Sequence, residues 1–162
     1  MSTGTVIQTG GVLFHGDSVT GTSATALYPL GLIREQGGKK FRYVQYDGAT
    51  AVACKADGIC GIQKDQGDWV VTQDISETSV RLVAGATMSV IPSGGFGWIQ
   101  TQGGKELKTS TLGSVGDRLV YSNSDAGEAA LGGVGAGTSA GIFGFVYKDT
   151  DASSTFAWLK LP

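Results

Sequence analysis

Apolar residues alternate with polar ones over short runs, and turn residues bound nearly every run. In Pro92-Ser-Gly-Gly-Phe-Gly-Trp-Ile-Gln-Thr-Gln-Gly103 a turn feeds a short extended segment. A period of two puts Phe96, Trp98 and Gln100 on one face, and Gly97, Ile99 and Thr101 on the other. The pair Gly103-Gly104 reads as the closing turn. Leu30–Glu35 and Lys40–Tyr46 flank Gln36-Gly37-Gly38 and predict a hairpin. Its second strand carries Phe41, Tyr43 and Gln45 on one face and Arg42, Val44 and Tyr46 on the other. Further strands are predicted at 59–62, 68–72, 77–84, 86–91, 117–121, 141–147 and 156–161. Gly141–Tyr147 is apolar on both faces, as a central or interface strand would be. One helical turn near Asp74–Ser79 is an alternative to extended chain there, and no sustained 3.6-residue period runs elsewhere. The pattern predicts about eight to ten short antiparallel strands forming a single small β-barrel or β-sandwich.

Residues 1–28 follow a different grammar. Ser, Thr and Gly dominate, and the apolar residues come as isolated clusters, Val12-Leu13-Phe14 and Ala26-Leu27-Tyr28 among them. One marginal strand at 11–15 is the plain reading. The alternative is an extended N-terminal arm, 1–28, whose clusters dock on a neighbour, with the β-domain spanning 29–162.

Composition fits this picture. Glycine supplies 27 of 162 residues without a Gly-X-Y period, so collagen is excluded and tight turns are favoured. Charged residues make up 16% of the chain, against about 25% for an average globular protein. A surface that poor in charge suggests cover by other subunits. Formal net charge is −2 and the basic residues are scattered, which argues against direct binding of nucleic acid. The N-terminus lacks the pattern of a secretory signal, and no apolar run is long enough to span a bilayer, so no membrane partner is expected.

Candidate chemistry is sparse. Cys54 and Cys60 read as two small buried thiols, and a disulfide across an Asp57-Gly58 turn stays open because spacing cannot fix its geometry. With His15 as the single histidine, neither zinc nor a nucleophile–base pair has its partners, so no metal or cofactor is expected. Gly132–Gly137 lacks the lysine of a phosphate loop and precedes a predicted strand, so it reads as a hairpin loop. Asp65, Asp68, Asp74 and Glu77 read as solvated turn residues. Trp69, Trp98 and Trp158 fall on separate strands, which favours core or interface packing over a sugar-stacking platform. No constellation for catalysis emerges, and the chain is not expected to be an enzyme.

The strings Ile91-Pro-Ser-Gly-Gly-Phe-Gly-Trp-Ile-Gln-Thr-Gln-Gly, Val115-Gly-Asp-Arg-Leu-Val-Tyr-Ser, Asp125-Ala-Gly and Gly141-Ile-Phe-Gly-Phe-Val-Tyr resemble capsid decoration (cement) proteins of tailed bacteriophages. So do Tyr28-Pro-Leu-Gly-Leu-Ile-Arg and Lys40-Phe-Arg-Tyr-Val-Gln-Tyr. The resemblance covers about residues 28–161 and rests on structural motifs. It implies a β-barrel bound outside the major capsid shell, often as a homotrimer, made in the host cytoplasm and stabilising the head. Candidate contacts with capsid or subunits are then Val12, Leu13, Phe14, Leu27, Tyr28, Phe96 and Trp98. The alternative is a head-fibre or receptor-facing module that binds a host surface glycan through exposed tryptophans.

Overall fold

A computed structural model of the chain describes residues 5–7, 13–15, 18–47, 54–63, 67–74, 80–109, 114–122, 126–131, 143–151 and 154–161. All of its regular structure is β. Near the N-terminus β1 (Thr5–Ile7) pairs antiparallel with β2 (Leu13–His15), so the expected single strand there has a partner, the β-branched Thr5-Val6-Ile7. Ten strands form the main sheet: β3 (Ile33–Gln36), β4 (Lys39–Tyr46), β5 (Ile59–Gln63), β6 (Val70–Thr72), β7 (Val80–Thr87), β8 (Phe96–Lys108), β9 (Arg118–Tyr121), β10 (Ala129–Leu131), β11 (Gly144–Asp151) and β12 (Ser154–Lys160).

The β3–β4 hairpin forms where the turn chemistry places it. Gly37 and Gly38 take φ of 58° and 74°, the paired positive values that a two-residue turn matched to strand twist requires. The predicted end at Gly103-Gly104 is not an end. β8 runs on through both glycines for 13 residues. Its first half pairs with β4, from Gln45 opposite Phe96 to Lys40 opposite Gln102. Its second half pairs with β12, from Lys160 opposite Gln102 to Ser154 opposite Lys108. Gly103, at φ 97°, sits where the partner changes. The Gln100 amide donates to the carbonyls of Gln102 and Gly104, both at 3.1 Å, and fixes the bend from within the strand.

These pairings make two rings that share β8. In the first, β8 pairs with β7, β7 with β5, β5 with β6, β6 with β4, and β4 returns to β8. The β4–β6 contact is parallel, a departure from the all-antiparallel expectation. In the second, β8 pairs with β12, β12 with β11, β11 with β9 and β9 with β10. A parallel bridge from Ala129 to Thr109, just beyond β8, closes it.

Odd-numbered positions of β8 line both interiors. Ile99 joins Val44, Tyr46, Cys60, Val71 and Ile91 inside the first ring. Leu107 joins Leu119, Phe143, Val146, Ala157 and Leu159 inside the second. Ile59 and Ala86, from first-ring strands, belong to that second cluster and weld the rings together. A third cluster lies outside the β4–β8 wall, where Phe41, Tyr43 and Trp98 are covered by Val19, Tyr28, Leu30 and Leu32. Covered on both sides, β4 and the first half of β8 carry apolar residues on both faces.

Candidate functional site

The second ring turns an unusual face outward. Along β12, Thr155, Ala157 and Leu159 are buried while Trp158 and Lys160 are exposed and Phe156 is half-buried. In a sheet with one wet face the outward positions are normally polar. Here they carry aromatics: Phe145 is 49%, Tyr147 48% and Trp158 52% exposed. Register brings them together, because Phe145 stands directly opposite Trp158 and Lys148 opposite Phe156. On the other flank of β12, Trp158 faces Gly104 and Phe156 faces Glu106. A β-carbon at Gly104 would lie 3.2 Å from the Tyr147 hydroxyl, so the phenol lies across β12 with its tip over that glycine. The rings of Tyr147 and Phe156 are 6.0 Å apart and tilted. The result is an aromatic platform spanning three strands, with a packed core behind it.

Cations ring this platform. The Lys148 ammonium stands 5.7 Å from the centre of the Phe156 ring, and Arg118 pairs across from Phe145. Lys108 and Lys160 occupy exposed outward positions at the ends of β8 and β12. Among the described side chains of this face are four cations and the Glu106 carboxylate, in a chain whose formal net charge is −2.

The residues singled out from the sequence lie elsewhere. Trp98 is 2% exposed, at the centre of the cluster on the first ring. Tyr28 meets Tyr43 edge-on at 5.2 Å and Trp98 at 5.7 Å, and Phe96 stacks on Tyr43 at 6.2 Å. The structure thus unites Tyr28, Phe96 and Trp98 inside one chain. Residues 18–28 lie against this wall, tied by an antiparallel bridge between Ser23 and Phe96. Leu27 is 60% exposed, and its N–H donates to the Tyr43 hydroxyl at 3.2 Å. Leu13 and Phe14 lie in β2, and Val12 is outside the described residues. Trp69 is half-buried at φ 66°, with the Arg42 guanidinium 4.1 Å from its ring centre and Gly31 against the indole.

Remaining candidate groups have structural surroundings. Cys54 and Cys60 are free thiols, both buried, and burial pushes both upward from the usual thiol range. Asp74 is buried, and its N–H is held by the Thr72 hydroxyl at 3.1 Å, so solvation does not account for it. Asp65, Glu77, the 75–79 segment and the Gly132–Gly137 run lie outside the described residues. Lys105 pairs with Asp57, and Lys55 with Glu128 at 3.0 Å, joining the 54–58 loop to the second ring. Among the described residues no three His, Cys, Asp or Glu side chains gather as metal ligands would.

The period of each strand alone does not show Phe145, Tyr147 and Trp158 as a group, because it is the β11–β12 register that brings them together. A signal was present: outward positions of 141–147 and 156–161 are aromatic where polar residues are the rule.

No family model and no curated protein matches the chain. Among solved structures the chain is similar to the N base of the head fibre gp8.5 of bacteriophage phi29, at 11% identity and a TM-score of 0.49, over 74% of this chain and 92% of that one.

Proposed function

We propose that the chain is a structural protein of a tailed-phage head, a capsid decoration protein that binds outside the major capsid shell as a homotrimer and stabilises it. The motif resemblance supports this reading. The observation that carries it is the division of exposed apolar surface between the two lobes. Leu27 and Leu82 stand out on the first ring and its N-terminal segment, and Phe145, Tyr147 and Trp158 on the second. Such a body can engage two partners at once. In this reading the first ring and residues 1–28 face the shell, and the aromatic platform faces away from it. Many copies make modest contacts sufficient through multivalency.

The test is occupancy on expanded capsids that lack the protein. The intact chain should saturate them and raise their resistance to heat. Deleting residues 2–20 removes β1, β2 and Val19, and leaves Tyr28, Leu30 and Leu32 over the Phe41–Tyr43–Trp98 cluster. That variant should fold and bind the shell more weakly. Equal occupancy would remove the arm from the mechanism, and absence of binding by the intact chain would overturn the reading. Sedimentation of the free protein checks the trimer.

A further inference from the structure

We infer that the aromatic platform of the second ring binds an acidic carbohydrate, a polymer of hexuronate units. Its size speaks first. Strands lie about 4.8 Å apart and alternate residues about 7 Å apart, so two rows over three strands give an apolar area of roughly 200 Å². A standard protein interface covers about 800 Å² on each partner. The platform has the footprint of a short run of sugar rings.

Chemistry speaks next. Aromatic faces are electron-rich and attract the polarised C–H bonds on one side of a pyranose ring. Opposite Trp158 stands Gly104, which adds no side chain beyond the strand and leaves room for the tip of Tyr147. Arg118, Lys148, Lys108 and Lys160 surround the rings at the spacing of neighbouring side chains on a sheet, suited to carboxylates repeated along a polymer. Glu106 lies beside Phe156 within the platform. It can accept hydrogen bonds from sugar hydroxyls, which every ring of a hexuronate polymer offers and the backbone of a DNA strand does not. That favours a polyhydroxylated anion over single-stranded nucleic acid, which the same aromatics would otherwise suit. Such binding needs no capsid, so its test is separate from that of the head assignment.

The experiment follows the three indole N–H resonances of the full-length ¹⁵N-labelled chain. Tetramers of galacturonate, mannuronate and guluronate are titrated beside their methyl esters, which keep the rings and lose the charge. At least one acid tetramer should move the Trp158 signal and leave the buried Trp98 signal in place. Isothermal titration calorimetry gives the affinities, and Trp158→Ala should weaken that binding by about tenfold, the scale of one lost stacking contact. The double change Arg118→Ala with Lys148→Ala should weaken the acid by about tenfold and the ester little, and added salt should act like the double change. Melting temperatures confirm that the variants fold. No Trp158 shift with any of the three acids overturns the inference, as does a calorimetric affinity unaffected by Trp158→Ala. Equal affinity for acid and ester overturns its ionic part. Tighter binding of an oligothymidylate of equal charge assigns the face to nucleic acid instead. A Trp158 shift that depends on protein concentration alone assigns it to a second copy.

Discussion

Gln73 is fully buried and its amide is fully used. Its oxygen accepts from the Lys55 N–H at 2.6 Å, and its nitrogen donates to the Lys55 carbonyl at 3.0 Å. The same nitrogen lies 3.4 Å from the Thr87 hydroxyl. Gly58 and Gly127 close over it, since a β-carbon at either would fall within 2.8 Å of the Gln73 amide. This knot ties the loop before β5 to the ends of β6 and β7 and to the second ring. Gln73→Leu keeps the bulk and strands the Lys55 N–H without its acceptor, so urea denaturation should report a loss of about 2–3 kcal/mol. Nothing in the sequence marks Gln73, because Lys55, Thr87 and Gly127 are brought to it only by tertiary folding. The cysteines were legible as buried thiols, since a free cysteine packs as a small hydrophobe. Burial raises both above their unfolded values. A raised thiol stays neutral in the fold while the unfolded chain ionises near pH ~8.5. Their contribution is therefore complete below that pH, and stability should fall as pH rises beyond it. Urea titrations between neutral and alkaline pH check this, with a Cys54→Ala/Cys60→Ala variant losing the slope.

β8 shows why a strand can be read and its end misread. Its alternation from Phe96 to Thr101 is local and survives in the structure. Gly103-Gly104 looks like a stop because glycine punctuates chains, yet β4 and β12 supply ladder partners on either side of it. Those partners lie some sixty residues before and fifty after in sequence, beyond the reach of any local pattern. The hairpin β3–β4 was legible for the opposite reason: its turn, its partner and its register are all local. The two glycines of β8 have different tasks. Gly103 holds a positive φ, and a β-carbon there would also meet the Lys39 side chain at 3.0 Å. Gly103→Ala should cost about 1–2 kcal/mol. At Gly104 a β-carbon meets the movable tip of Tyr147. Gly104→Ala should change stability by less than about 0.5 kcal/mol while shifting the Tyr147 ring resonances. Thermal unfolding of the two variants separates a backbone requirement from a surface one.

The all-β class was legible because short alternating runs and glycine turns leave few other solutions. The double ring was not, because it depends on a parallel β4–β6 contact and on one strand serving two closures. That arrangement bears on how the molecule unfolds. Besides β8, the rings share the cluster that holds both Ile59 and Leu107, and the ion pairs Lys55–Glu128 and Asp57–Lys105. They also share backbone bonds from the Ile59 N–H to the Gly127 carbonyl at 2.8 Å and from the Lys108 N–H to the Asp57 carbonyl at 3.1 Å. Opening the second ring alone would expose Ile59 and Ala86 to water and release half of β8. One lobe should not survive loss of the other. Leu107→Ala, deep in the second ring, should cost about 2–5 kcal/mol. The Trp98 resonance in the first ring and the Trp158 resonance in the second should then vanish at one shared, lowered urea midpoint. If Trp158 is lost well before Trp98, the lobes are separate folding units and the shared strand does not couple them.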